Sequence, residues 1–356
     1  MEYEPDTACD ICGVTHVHTI HSDGTAGIEA LTRTARGLGL DFVVITDHMT
    51  LRGRQDGWQG IHDGVHVVVG YEHEDHQGRH HYLVMGVDSV IGEQGSPQVY
   101  VDEVRHRGGI GFIAHPFEKR SSFKSLPPYP WVDWSVEGYD GIEIWNQMSE
   151  WVEGLRTWLS VVRLMYPRRF LAGPPGELLA KWDELNRRRF VAGIGGVDAH
   201  TRALRWGPFR YTLFPLKVEL KGIRTHLHVP HGFRSLPSGD AERCMLQALR
   251  DGRGFVSNCR RGDARGARFR FTDAAGRTAW PGRREEPVSL PGVLSADMPL
   301  RGEVRLICDG AECMRRIGRH VEFPVDSPGV YRIEAHRQGH AWIYTNPFPM
   351  RGGART

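Results

Sequence analysis

Residues 13–24 read GVTHVHTIHSDG, an apolar run that ends in His16 and His18 and then turns through Asp23 and Gly24. Alternate positions of a strand share one face, so His16 and His18 can reach a single ion. A lone His-x-His pair means little, because two histidines on one strand face are more often exposed or mutually satisfied than metal-bound. Five further segments repeat the theme, each an apolar run adjoining His, Asp or Glu. They are VVITDH with Asp47 and His48, VVVGYE with Glu72, HHYLVMG with His81, GFIAHP with His115, and AGIGGVDAH with Asp198 and His200. Imidazole and carboxylate together are the donor set of Zn, Mn or Fe, and this many donors exceed the needs of one ion. The expectation is a multinuclear site for divalent transition-metal ions.

The same runs supply the strands. Candidates are Gly13–His18, Asp41–Thr46, His66–Glu72, His81–Val87, Ile110–His115, Gly141–Asn146 and Val191–Asp198, with helical patterns at Ile28–Leu40, Gln98–Arg107, Met148–Arg163 and Pro175–Arg188. Continuous apolar strands separated by helices indicate a parallel sheet buried on both faces. Several such units with polar residues gathered at strand C-termini indicate a barrel whose C-terminal rim carries the chemistry. His81 does not obey that rule, since it stands at the start of its strand. After Asn258 the texture changes to short alternating runs bounded by Gly, Pro and Asp (EVRLICDG, HVEFPVD, GVYRIEAHRQG, HAWIYTNPF), which read as a small antiparallel β-sandwich.

HxHTxxSDG (16–24), TDH (46–48), the strand-terminal GYE (70–72), AHP (114–116) and GGVDAH (195–200) occur in an order and spacing that resembles the PHP (polymerase and histidinol phosphatase) superfamily over about the first 260 residues. ALRDGRGFVSN (248–258) and GVYRIEAHRQGHAWIYTNPF (329–348) resemble its carbaryl-hydrolase-like (CehA/McbA-type) branch, in which a β-domain follows the metal-binding barrel. The resemblance implies an α/β fold with a distorted (β/α)7 TIM-like barrel over residues 1–260 and an accessory β-sandwich over 261–356. It also implies roles. His16 and His18 would share a first metal with Glu72 and Asp198. Glu72 would bridge to a second metal held by His81 and His115. Asp23, His48 and His200 would complete a third, more exposed site. Several relatives carry histidine where this chain has Asp23, so occupancy by two or by three ions stays open. His81 is preferred to His80 because HYLVMG fits the His-to-Gly spacing of the branch.

Two cations sharing a carboxylate bring the pKa of a trapped water toward ~7, which yields a bridging hydroxide without a separate base. Glu72, Asp198 and His200 are accordingly the expected catalytic groups. Lys119 and Arg120 follow HPFE, and Arg202 and Arg205 follow DAHT, so these four are candidates to bind an anionic substrate; an equally good reading leaves them in solvent. Asn146, ending GIEIWN on the same rim, is a further candidate for substrate contact. Asp47 reads as an orienting or capping group. His21, His62, His66, His73, His76 and His80 read as solvated. Trp58, Trp131, Trp134, Trp145 and Trp151 suit either an aromatic cleft or plain core. The leading function is hydrolysis of a small-molecule phosphate ester, the default implied by the superfamily. Hydrolysis of a carbamate, aryl ester or amide is the alternative implied by the branch, and a non-catalytic metal-binding module is the alternative from another class.

Composition sets the outer bounds. With 356 residues, 25% charged and 40% hydrophobic, the chain is ordinary globular protein of one large and one small unit. A formal net charge of +2 gives no reason to expect a nucleic-acid partner. The opening MEYEPDTACD lacks the apolar region of a secretion signal, and no run approaches the ~20 apolar residues of a membrane span. Six sparse cysteines form no disulfide framework, which suits reduced thiols in a cytoplasmic enzyme.

Overall fold

The computed structural model describes residues 8–75, 79–92, 95–119, 127–154, 167–206, 209–283 and 288–350. Its strands in chain order begin with β1 (Cys9–Val17), β2 (Phe42–His48), β3 (Gly60–His62), β4 (Val65–His73), β5 (Tyr82–Met85), β6 (Ile110–Ile113), β7 (Gly141–Asn146) and β8 (Ala192–Ala199). Seven of these close a ring in the order β1-β2-β4-β5-β6-β7-β8 and back to β1, while β3 only flanks β4. Phe42–Ile45 and Val67–Val69 are buried throughout, as strands covered on both faces must be. The outer layer is helical. Ile28–Gly37 buries Ile28, Leu31, Thr32 and Ala35, the spacing of one helix face, and Pro97–His106 opens on a proline that needs no backbone donor.

The ring is mixed rather than uniformly parallel. β5 runs antiparallel to both β4 and β6, and among the described residues no helix lies between β4 and β5. The regular strand–helix alternation expected from the sequence therefore breaks here, and among the described residues no helix separates β6 from β7 either. Reversal puts the start of β5 at the rim where its neighbours end, which brings His81 to the ligands despite its position before the apolar run.

A second irregularity lies between β1 and β8. Thr15 faces Gly196 and Val17 faces Ala199, so the register slips at the intervening residues. His16 takes φ 62 and Asp198 φ 51, and His115 beyond β6 takes φ 26, all in the left-handed region that non-glycine residues seldom enter. Such a conformation persists only where the surroundings over-determine it.

Beyond the ring come a hairpin of β9 (Arg202–Trp206) and β10 (Phe209–Leu213), then β11 (Ile223–Val229) and β12 (Gly254–Asn258). The remainder is β13 (Arg268–Asp273), β14 (Thr278–Ala279), β15 (Gly292–Cys308), β16 (Ala311–Val325), β17 (Gly329–Arg337), β18 (His340–Thr345) and β19 (Phe348–Met350). These later strands are antiparallel and enclose Phe269, Phe271, Leu294, Leu306, Phe323, Ile333 and Trp342. The sheet is continuous with the ring. The first half of β1 pairs with β11, β11 with β12, and β12 with β18. All six cysteines are free thiols. Among the described residues no helix is long and apolar enough to cross a membrane.

Candidate metal centre

All nine sequence-derived ligands meet at one rim. Glu72, at the end of β4, stands at the middle of them. Its Oε1 lies 2.8 Å from His81 Nδ1 and 3.1 Å from His115 Nε2, and its Oε2 lies 3.1 Å from both His16 Nε2 and His18 Nε2. Asp198 Oδ1 is 3.4 Å from each of His16 Nε2, His18 Nε2 and His200 Nδ1. Asp23 reaches His200 Nε2 at 3.1 Å, His18 Nδ1 at 3.6 Å and His48 Nε2 at 3.7 Å. Donor atoms converge to within 4.8 Å in four overlapping groups: His16, His18 and Glu72; His16, His115 and Asp198; His48, Glu72 and His81; and His18, Asp23, His48 and His200. The first three are largely buried, whereas Asp23 in the fourth is exposed.

The donor set fits divalent transition ions. His18 is buried with carboxylates around both ring nitrogens, yet none of these contacts has the geometry of a hydrogen bond. An unsatisfied buried imidazole is costly, and lone pairs aimed at carboxylates of the same cluster are what a shared cation would satisfy. The electrostatics agree. Burial disfavours a charged His16, but Glu72, Glu143 and Asp198 outweigh it and hold the imidazole well above the usual range. The same contest, burial against nearby carboxylates, raises His200 and pushes His48 and His115 up to about 9. Burial would raise Glu72 and Asp198, yet the surrounding imidazoles hold both well below the carboxylate range. Positive charge is what this cluster is built around.

Several supporting groups escaped the sequence reading. Glu143, midway along β7 and fully buried, contacts His16 Nδ1 and the backbone of His115. Glu118 accepts from Ser149 Oγ at 2.6 Å and Tyr129 N at 2.9 Å, and Glu74 contacts His48 Nδ1. The buried acid in GIEIWN was the available signal for Glu143, since an apolar strand seldom buries a carboxylate without a partner. Asp47 makes no bond to His48. It accepts from Thr19 N, Thr19 Oγ1 and Ser22 Oγ at 2.6–2.7 Å, and so anchors the turn that follows His18.

The other candidates scatter. Asn146 is buried, donates to Glu143 at 2.8 Å and to Asp198 at 3.5 Å, and caps the helix Gln147–Glu153 by accepting from Ser149 N. Lys119 Nζ extends to Glu177 at 2.5 Å, both groups exposed. Arg120 lies outside the described residues, and so do the side chains of Arg202 and Arg205 on β9. His73 and His80 are buried rather than solvated: His73 packs on Tyr100, and His80 bonds Asp75 at 2.7 Å. Trp131, Trp145 and Trp151 are core residues, and Trp145 also faces a cavity of about 240 Å³. That cavity opens beside His115 and Glu143 and is walled by Phe117, Trp145, Pro175 and Leu178.

No protein-family model and no curated protein matches the chain. Solved structures do resemble it. A two-domain protein from Bacteroides vulgatus containing a predicted PHP-like metal-dependent phosphoesterase aligns over 98% of both chains at 14% identity, with a TM-score of 0.46. A putative metal-dependent phosphoesterase from Bifidobacterium adolescentis aligns over 52% of this chain and 87% of its own at 16% identity, with a TM-score of 0.37. An amidohydrolase from Chromobacterium violaceum with bound sulfate aligns over 57% of this chain and 92% of its own at 14% identity, with a TM-score of 0.34.

Proposed function

We propose that this chain is a metal-dependent hydrolase of small molecules. His16, His18, Glu72 and Asp198 hold one divalent ion of Zn, Mn or Fe. Glu72, His81 and His115 hold a second, and Asp23, His48 and His200 hold a third when it is present. One observation carries this reading. The two oxygens of Glu72 face opposite pairs of histidines, His81 and His115 on one side and His16 and His18 on the other. When bound, the ions supply Lewis acidity to a water and to the oxygen of the scissile group. Glu72 then sets the spacing of the paired sites, Asp198 orients His200 through its backbone oxygen at 2.9 Å, and the rim around Asp23 stays open to substrate.

A phosphate ester is the leading substrate, because its charge would complement the cations and Arg120, Arg202 and Arg205 follow His115 and His200 closely in the sequence. The cavity walled by Phe117, Trp145, Pro175 and Leu178 favours a second reading, an aryl ester, carbamate or amide of the carbaryl-hydrolase type with its apolar part in that cavity. We further read the ring as a seven-stranded TIM-like barrel of PHP type, carrying all the chemistry within residues 1–260, and residues 261–356 as an accessory β-sandwich. Purified protein supplied in turn with Mn, Zn and Fe should be assayed on phosphate mono- and diesters beside aryl esters and carbamates. Turnover of phosphate esters supports the leading reading; turnover of aryl substrates alone transfers the assignment to the second. No turnover together with under one ion per chain discards both.

A further inference from the structure

We infer that Glu143 is a positioning residue that fixes His16 as a ligand and ties the two buried halves of the metal centre to one carboxylate; this rests on the metal reading above. Glu143 Oε1 accepts from His16 Nδ1–H at 2.9 Å. With that nitrogen committed as a donor, the lone pair of His16 sits on Nε2, which faces Glu72 Oε2 at 3.1 Å and Asp198 Oδ1 at 3.4 Å. Glu143 Oε2 accepts from the backbone N–H of His115 at 2.8 Å and from Asn146 Nδ2 at 2.8 Å. On that reading His16 would serve the first metal and His115 the second, and Glu143 braces both residues at once. Both supported residues hold left-handed backbone, which needs such external bracing.

A second observation shows that the place is built for this carboxylate. On the neighbouring strand, a Cβ at Gly196 would lie 1.5 Å from Glu143 Oε1 and 3.0 Å from His16 Cβ. Any side chain there would expel Glu143 from His16. The donors surrounding Glu143 also require an acceptor on both oxygens. A glutamine can present its oxygen to His16 or to His115 and Asn146, and its amide then confronts a donor on the other side.

The test compares wild type with E143Q and with E143D, which keeps the charge but is one carbon short. Affinity is measured by titrating Zn²⁺ and Co²⁺ against a chelator, the Co²⁺ absorption spectrum is recorded, and thermal unfolding is followed in excess EDTA. The expected result is a 10–100-fold weaker affinity and an altered Co²⁺ spectrum in both variants, with the EDTA unfolding curve of E143D close to wild type. Wild-type affinity and spectrum in either folded variant overturn the inference while leaving the metal reading intact. Failure of the wild type itself to bind Zn²⁺ or Co²⁺ overturns the metal reading instead.

Discussion

Asn346 grips Gly193 by both backbone groups: Gly193 N–H donates to Asn346 Oδ1 at 2.6 Å, and Gly193 C=O accepts from Asn346 Nδ2 at 3.0 Å. A residue from the last tenth of the chain thus completes strand β8, five residues before Asp198. Replacing Asn346 with Ala leaves both buried groups unpaired, at a cost of about 1–3 kcal/mol for each. N346A should therefore show a clearly lower denaturation midpoint. An unchanged midpoint would mean that water satisfies Gly193 and that the grip is incidental.

The sequence disclosed this site far better than its scaffolding. Most of the candidate ligands adjoin an apolar run, and Asp23 and the choice of His81 over His80 rest on the motif resemblance, so the nine positions could be proposed without knowing how the strands pair. The acid in GIEIWN marks Glu143 as a group in need of a partner, but its partners follow only from β7 lying beside the bulged junction of β8 and β1, which no local pattern encodes. His73 reads as solvated because the apolar run stops at Glu72, whereas β4 continues through His73 and buries it. The continuity of β12 with β18 was likewise invisible, since it joins segments more than eighty residues apart.

Glu72→Gln should lose metal as well as activity. The amide removes the shared negative charge and offers only one oxygen where two sides need one, so elemental analysis is expected to find at least one ion fewer per chain. Full metal content in a folded E72Q protein would show that another carboxylate bridges.

Arg332 and Asp183 form a buried two-pronged pair, with Arg332 Nε at 2.7 Å and Nη2 at 2.8 Å from the two carboxylate oxygens. It fastens β17 to the helix Gly176–Arg188. D183A removes two charge-assisted bonds from a buried guanidinium and leaves Glu334 as its partner, so it should destabilise the protein by about 1.5–3 kcal/mol in denaturant titration. Metal content in the folded protein should be unchanged, because neither residue touches the cluster. A loss below 1 kcal/mol would place this contact among the weak surface pairs.

Two histidines on β11 should give stability opposite slopes with pH. Burial opposes charge on His226, yet Cys12 and Asp10 prevail and push it up to about 10, so its contribution is complete below the ordinary value of 6.5 and is lost as pH rises through about 10. Burial pushes His228 down to about 4, so its contribution is complete above 6.5 and is lost as pH falls toward 4. Urea midpoints measured across that range should show a shallower alkaline fall for D10N and a shallower acid fall for H228F, each relative to wild type. Parallel profiles for all three proteins would refute the assignment.

The reversed strand β5 carries a lesson about polarity. An apolar run is direction-blind: YLVM would fill the same wall of the ring travelling either way. A ligand beside the run is not, because all ligands must surface at one rim. In five of the segments the ligand trails its run, and in HHYLVMG it leads. That asymmetry is an arrowhead written in the primary structure, from which the one antiparallel strand of the ring can be picked out before any coordinates exist.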